Sequence, residues 1–146
     1  MDGSGQNLAT HTRWHPPFHF VLLPFLLVNM IWSGVRVWRS MEWDTIEGFL
    51  LAIALIATAV FSRFNALKAQ DRLIRLEEQL RFQRVLPAEL VAKAIKNLDG
   101  PQYVALRFAS DGELAGLVEK VLAGNPSSSA EIKKAIKNWR GDYFRV

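Results

Sequence analysis

The chain has 146 residues, half of them apolar, and a net charge of +4, enough for one modest soluble domain or for a membrane anchor with a smaller domain. It contains no Cys, which excludes disulfide staples, thiolate metal sites and cysteine nucleophiles and fits a reducing compartment. Residues 65–146 carry 14 of the 18 Lys and Arg and 10 of the 14 acids, a mild excess, thinner than the basic cluster expected of a nucleic-acid-binding domain.

Residues 1–17 form a polar N-terminal segment. With a single Arg and no Ala-x-Ala after the apolar run, it does not read as a secretory signal, so the first apolar segment is expected to be retained. That segment, Phe18 to Trp38, makes a helix of about 30 Å, the thickness of a bilayer's hydrocarbon core. Pro17 suits a first helical position. Pro24 cannot donate to the carbonyl of Phe20, so a kink is expected there. The second segment, Ile46 to Phe64, has no charge from Gly48 to Phe61. The short polar connection between them implies an antiparallel transmembrane hairpin, with Trp38 and Trp43 as an interfacial belt and Asp44 with Glu47 as a capping box. A buried helical pair in a soluble protein is the alternative, but the remaining residues would hardly cover two such stretches all round.

Lys68, Arg72, Arg75, Arg81 and Arg84 follow the second segment closely, whereas Arg36 and Arg39 in the connection are offset by three acids. The excess of positive charge places the C-terminal part, and with two spans the N-terminus, on the cytoplasmic side. From Asn65 to about Val85 the helix is expected to continue. Ala66, Ala69, Leu73, Leu76 and Leu80 recur at spacings of three and four, the seam of a short coiled coil or, as the preferred reading, a face packed on the helices that follow.

Residues 87–146 read as a small helical domain. Helices are expected over 87–98 and 111–123 and from Ser128 to Trp139, with capping boxes at Ser110–Glu113 and Ser128–Glu131 and a stop at Gly124-Asn125-Pro126. Residues 102–109 could be strand, but without a partner strand they are read as helix. The fold class is therefore all-α.

The stretch Gln6-Asn7, His11, Arg13 and Pro17-Phe18-His19-Phe20 resembles the start of a family of small bacterial membrane proteins, the domain of unknown function 6526. Leu106-Arg-Phe-Ala-Ser-Asp111 with Glu113-Leu114, and Ile132 to Trp139, are similar to it too, so the likeness covers almost the whole chain. The resemblance implies a bacterial two-span membrane protein and carries no activity with it.

Three sets of residues are candidates for chemistry. His11, His15 and His19 are spaced by four, as a metal or haem site on one helix face would need. However, Pro16-Pro17 pushes the preceding residues out of helical geometry, and no acid is nearby to complete the ligands, so interfacial side chains are the simpler reading. Asn29, Ser33 and Arg36 share a face of the first span, with Glu47 and Thr58 expected opposite. A proton route would want an acid at mid-depth, which neither span has, so these read as interhelical hydrogen bonds of about 0.6–2 kcal/mol each and an Arg36–Glu47 pair. Lys93, Lys96, Lys133, Lys134, Lys137, Arg140 and Arg145 are candidates for a basic face toward anionic headgroups or an acidic partner.

No phosphate loop, metalloprotease pattern or nucleophile with a base is present in the sequence, and Asp111 and Glu113 read as acids of a helix's first turn. The expectation is a non-enzymatic accessory or scaffold protein of the bacterial inner membrane, in contact with lipid and with a protein partner or further copies of itself, without cofactor, small-molecule substrate or nucleic acid. The alternatives are a self-assembling pore or small transporter, and a haem or metal carrier using the three histidines.

Overall fold

The structure, a computed structural model, describes residues 7–8 and 15–142. Every regular element among them is helical: a π-helical stretch Pro17–Leu22, then α1 (Leu23–Arg39), α2 (Trp43–Val85), α3 (Ala88–Asn97), α4 (Gly100–Leu106), α5 (Asp111–Leu122) and α6 (Ser129–Ala135). An isolated antiparallel bridge joins Ala109 and Trp139. The described residues form two compact units, 15–67 and 68–142. Helix α2 contributes to both.

In the first unit Pro24 shapes the helix as its chemistry requires. Lacking an N–H for the carbonyl of Phe20, it is preceded by a wider winding in which the Leu23 N–H donates to the carbonyl of Phe18, five residues back. The expected local distortion takes the form of this π segment. Pro17–Arg39 and part of Trp43–Val85 are each long and apolar enough to cross a membrane. On α1 the half-buried or buried positions are Leu23, Leu26, Asn29, Met30, Ser33, Gly34 and Val37, a stripe at helical spacing. The facing stripe of α2 includes Thr45, Gly48, Phe49, Ala52 and Ile56. Gly34 lies against the Phe49 ring, where an added Cβ would meet it at 3.4 Å.

The start of α2 differs from expectation. The helix begins at Trp43, and Thr45, not the Asp44–Glu47 pair, organises the turn. The one proton of the buried Thr45 hydroxyl is shared between the carbonyls of Ser40 and Glu42, each at 2.8 Å, and its oxygen accepts from the Glu42 N–H. A hydroxyl can donate and accept at once, whereas a carboxylate can only accept.

The second unit is built around Phe82, Tyr103, Leu106, Phe108, Leu114, Val118 and Ile132, all fully buried. Phe82 stacks on Tyr103 at 5.5 Å, and the Tyr103 hydroxyl reaches the carbonyl of Ala94. Burying such side chains contributes about 1.5–3 kcal/mol each. Helix α3 packs on α5, and α4 packs on α6. Ser110–Glu113 and Ser128–Glu131 are capping boxes, as is Asp99–Gln102 at the start of α4. Helix α5 ends in a Schellman turn: Gly124, at φ 88°, donates to Val121, and Asn125 donates to Lys120.

Two expectations fail here. Helix α6 stops at Ala135 instead of running to Trp139, because the next residues find better partners elsewhere. Ser110 N–H donates to Asn138 O at 3.0 Å and Arg140 N–H to Phe108 O at 2.7 Å. The second concerns α2. Its packed face is Ile74, Glu78, Arg81 and Phe82, whereas Leu73, Leu76 and Leu80 are more than half exposed, and the neighbouring Ala66 and Ala69 on the same seam are exposed too. The seam therefore does not pack on the helices that follow.

Candidate functional site

The largest concentration of buried charge lies in the second unit. Arg81 on α2, only 4% exposed, sits one turn from the equally buried Glu78, which accepts from Arg81 Nη1 at 3.0 Å. Its other nitrogens reach the start of α5: Nε and Nη2 donate to Asp111 Oδ1 at 2.8 and 2.6 Å, and Nη2 also donates to the carbonyl of Ala109 at 2.7 Å. The planar fork of an Arg suits this triple engagement, which a Lys could not reproduce. Arg140 approaches the second Glu78 oxygen at 3.6 Å. Arg107 meets Asp142 at 3.2 Å and lies over the Phe108 ring.

These groups border a groove of about 410 Å³, whose rim includes Glu77 and Arg84. Burial pushes the Glu78 carboxyl above its ordinary value, against the pull of Arg81, Arg140 and Arg107. The Arg81 hydrogen bond holds the Asp111 carboxyl below its ordinary value. Counting Asp111, four acids answer four guanidinium groups here. With charge balanced and Arg81 bonded to both Glu78 and Asp111, the set is a lock between helices; an anion trap would carry surplus positive charge.

The second lock is Glu113. One oxygen accepts from the Asn138 N–H at 3.0 Å and the other from the Lys137 N–H at 3.1 Å, while the capping contact to Ser110 is kept. Asp111 and Glu113, expected only as first-turn acids, thus bind α5 to α2 and to the segment after α6. Sequence spacing gave no sign of Arg81–Glu78–Asp111, apart from the i, i+3 relation of Glu78 and Arg81.

The positions singled out in the sequence are distributed as follows. Asn29 and Ser33 are half-buried on the packed stripe of α1. Arg36 is 3.7 Å from Asp44, so the ion pair at this level is with Asp44 and the expected Glu47 is exposed. Thr58 is also exposed, and its hydroxyl donates back to the carbonyl of Ala54 at 2.8 Å, the usual internal outlet for a helical Thr. It therefore does not bridge to Asn29. His19 Nδ1 lies 3.0 Å from the backbone oxygen of His15, and His11 lies outside the described residues. Among the described residues no three of His, Asp and Glu are grouped to hold a metal ion.

Lys93 and Lys96 are exposed on α3, and Lys134 and Lys137 are exposed on or just after α6; Lys133 is half-buried, with its ammonium 5.8 Å from the Phe108 ring centre. Helices α3 and α6 are not in contact, since each packs on a different neighbour. The lysines therefore fall into two groups, with Arg140 at the groove and Arg145 outside the described residues.

Comparison with known families now adds to this geometry. The model of a family of unknown function, DUF6526, matches residues 1–146. The chain belongs to that family. No curated protein and no solved structure matches it significantly. For this DUF6526 member, then, the site must be read from its own residues.

Proposed function

We propose that the chain is a non-enzymatic, two-span protein of the bacterial inner membrane, an accessory or scaffold subunit. In this reading α1 and the first half of α2 form an antiparallel transmembrane hairpin, both termini are cytoplasmic, and the helical domain docks on a partner protein or on anionic headgroups through its lysines.

The observation that carries the reading is the outward face of the two long helices. Phe25, Ile31 and Trp32 on α1, and Leu50, Leu51 and Phe61 on α2, are all 58–73% exposed, while Leu26 and Ala52 are the buried apolar residues there. Apolar surface on this scale is stable against hydrocarbon and costly against water. The aromatic pair Trp38 and Trp43, 91% and 87% exposed at the connection, fits an interfacial belt. For the domain, support comes from the charge locks, which hold helices together, and from the exposed Lys93, Lys96, Lys134 and Lys137, each worth about 1 kcal/mol beside an anionic surface. The pore reading has less behind it, since Thr58 is turned back onto its own helix.

Washing membranes at alkaline pH tests the anchor: the chain should stay in the pellet, and its release would end the reading. Because the protein has no Cys, single cysteines report topology. An impermeant maleimide should label Met41→Cys in intact cells and Asn97→Cys only after lysis. Gentle extraction should then recover a stoichiometric partner or bound anionic lipid; purification free of both would remove the docking role.

A further inference from the structure

Helix α2 carries two faces after Lys68. One is Ile74, Glu78, Arg81 and Phe82, all buried within the domain. The other is Ala69, Leu73, Leu76 and Leu80, on the order of 140° away at 3.6 residues per turn. Its three leucines are 55%, 53% and 52% exposed, the most extended apolar stripe in this unit.

We propose that this stripe pairs with the same stripe of a second copy, forming a parallel two-stranded coiled coil. The heptad assignment is the first argument. With Leu73 and Leu80 at a and Ala69 and Leu76 at d, the residues packed on the domain fall at b, c and f, the positions a coiled coil turns away from its partner. The dimer therefore forms without disturbing the domain.

Charge complementarity chooses both the occupant and the direction. In a parallel pair each g residue faces the following e residue of the other copy. Arg72 at g then meets Glu77 at e, and Gln79 meets Arg84, with no like-charged contact; neither Arg72 nor Glu77 forms an ion pair within the chain among the described residues. In an antiparallel pair g faces g, and since neither Arg72 nor Gln79 is an acid, Arg72 would find no partner. Parallel pairing also suits the proposed membrane anchoring, on which this part of the inference rests: two copies inserted with one topology leave their second spans in the same direction. Two heptads are short, but confinement to a membrane raises the effective concentration of the pair.

The test uses the full-length, naturally cysteine-free chain in its own membranes, with Leu73→Cys, Leu76→Cys, Leu80→Cys and, on the opposite exposed side, Asp71→Cys. On mild oxidation the three leucine positions should each give a homodimer band several-fold stronger than Asp71→Cys, as in-register parallel helices require. In the Leu76→Cys background, Arg72→Glu and Glu77→Arg should each reduce the dimer and the two together should restore it. Equal bands at all four positions, adducts to another protein only, or no rescue by the double swap would overturn the proposal. An alkaline wash of the same samples reports the anchor separately: a released chain that still gives the leucine pattern leaves the coiled coil standing, and a retained chain without the pattern ends it.

Discussion

Arg81 and Asp111 are 30 residues apart and meet through two hydrogen bonds to one carboxylate oxygen, at 2.6 and 2.8 Å. The pair fixes the end of α2 against the first turn of α5. Because the guanidinium is buried and is also the closest partner of Glu78, its removal leaves that buried carboxylate with only the more distant, half-exposed Arg140 at 3.6 Å. Arg81→Ala should therefore destabilise the domain by about 3–5 kcal/mol. Arg81→Lys should recover little of this, since an ammonium cannot reproduce the planar fork. Thermal unfolding of the full chain in detergent, followed by circular dichroism, measures both; a loss within error of wild type would show that the network is dispensable.

The two acids of this network should respond to pH in opposite directions. Asp111 is held below its ordinary 3.8, so its contribution is fully present above that value and is lost as pH falls through the lower folded value. Glu78 is raised above its ordinary 4.5, so its contribution is present below that value and is lost as pH rises through the folded one. Asp111→Asn should thus flatten the acid limb of a stability–pH curve, and Glu78→Gln the limb above pH 4.5. Melting midpoints across an acid-to-neutral series decide it; parallel curves for both variants and wild type would contradict the assigned directions.

Much of the helical framework was legible because it is written locally. The capping boxes at Ser110 and Ser128 and the Gly124 stop are short-range devices, and the structure uses each as expected. What was not legible depended on distant partners. The spacing of Leu73, Leu76 and Leu80 identifies a helix face but cannot say which body it meets, and the domain chose the face of Ile74 and Phe82 instead. Nothing local in the sequence marks Glu78 and Arg81 as buried, since only the fold brings Asp111 and Ala109 close enough to repay their burial. The early end of α6 has the same origin, for its helical continuation competes with the hydrogen bonds offered by Phe108, Ser110 and Glu113. In the candidate site, the lysines were identified individually while their division between α3 and α6 required the packing.

Glu113 offers the most local way to release the C-terminal segment. Its carboxylate holds the consecutive N–H groups of Lys137 and Asn138. Glu113→Ala should cost about 1.5–3 kcal/mol, the range for hydrogen bonds to a charged group. Hydrogen exchange should accelerate at the amides of Lys137, Asn138 and Arg140 and much less at those of α3. Exchange that rises evenly over the domain would instead indicate that Glu113 acts through α5 as a whole.

Gly34 tests the packing of the two long helices. An added Cβ would meet the Phe49 ring at 3.4 Å, ordinary van der Waals contact, so Gly34→Ala should be tolerated. A branched side chain has no such room. Gly34→Leu must displace Phe49 or separate the helices, an overpacking cost of about 1–3 kcal/mol. If small residues at this crossing permit close approach, as in membrane helix pairs, the effect should grow with side-chain volume and diminish when Phe49→Ala is added to Gly34→Leu. Detergent-denaturation midpoints of the three variants provide the comparison. Independent, additive losses from Gly34→Leu and Phe49→Ala would mean that the two residues are not in contact, and the pairing of α1 with α2 would have to be redrawn.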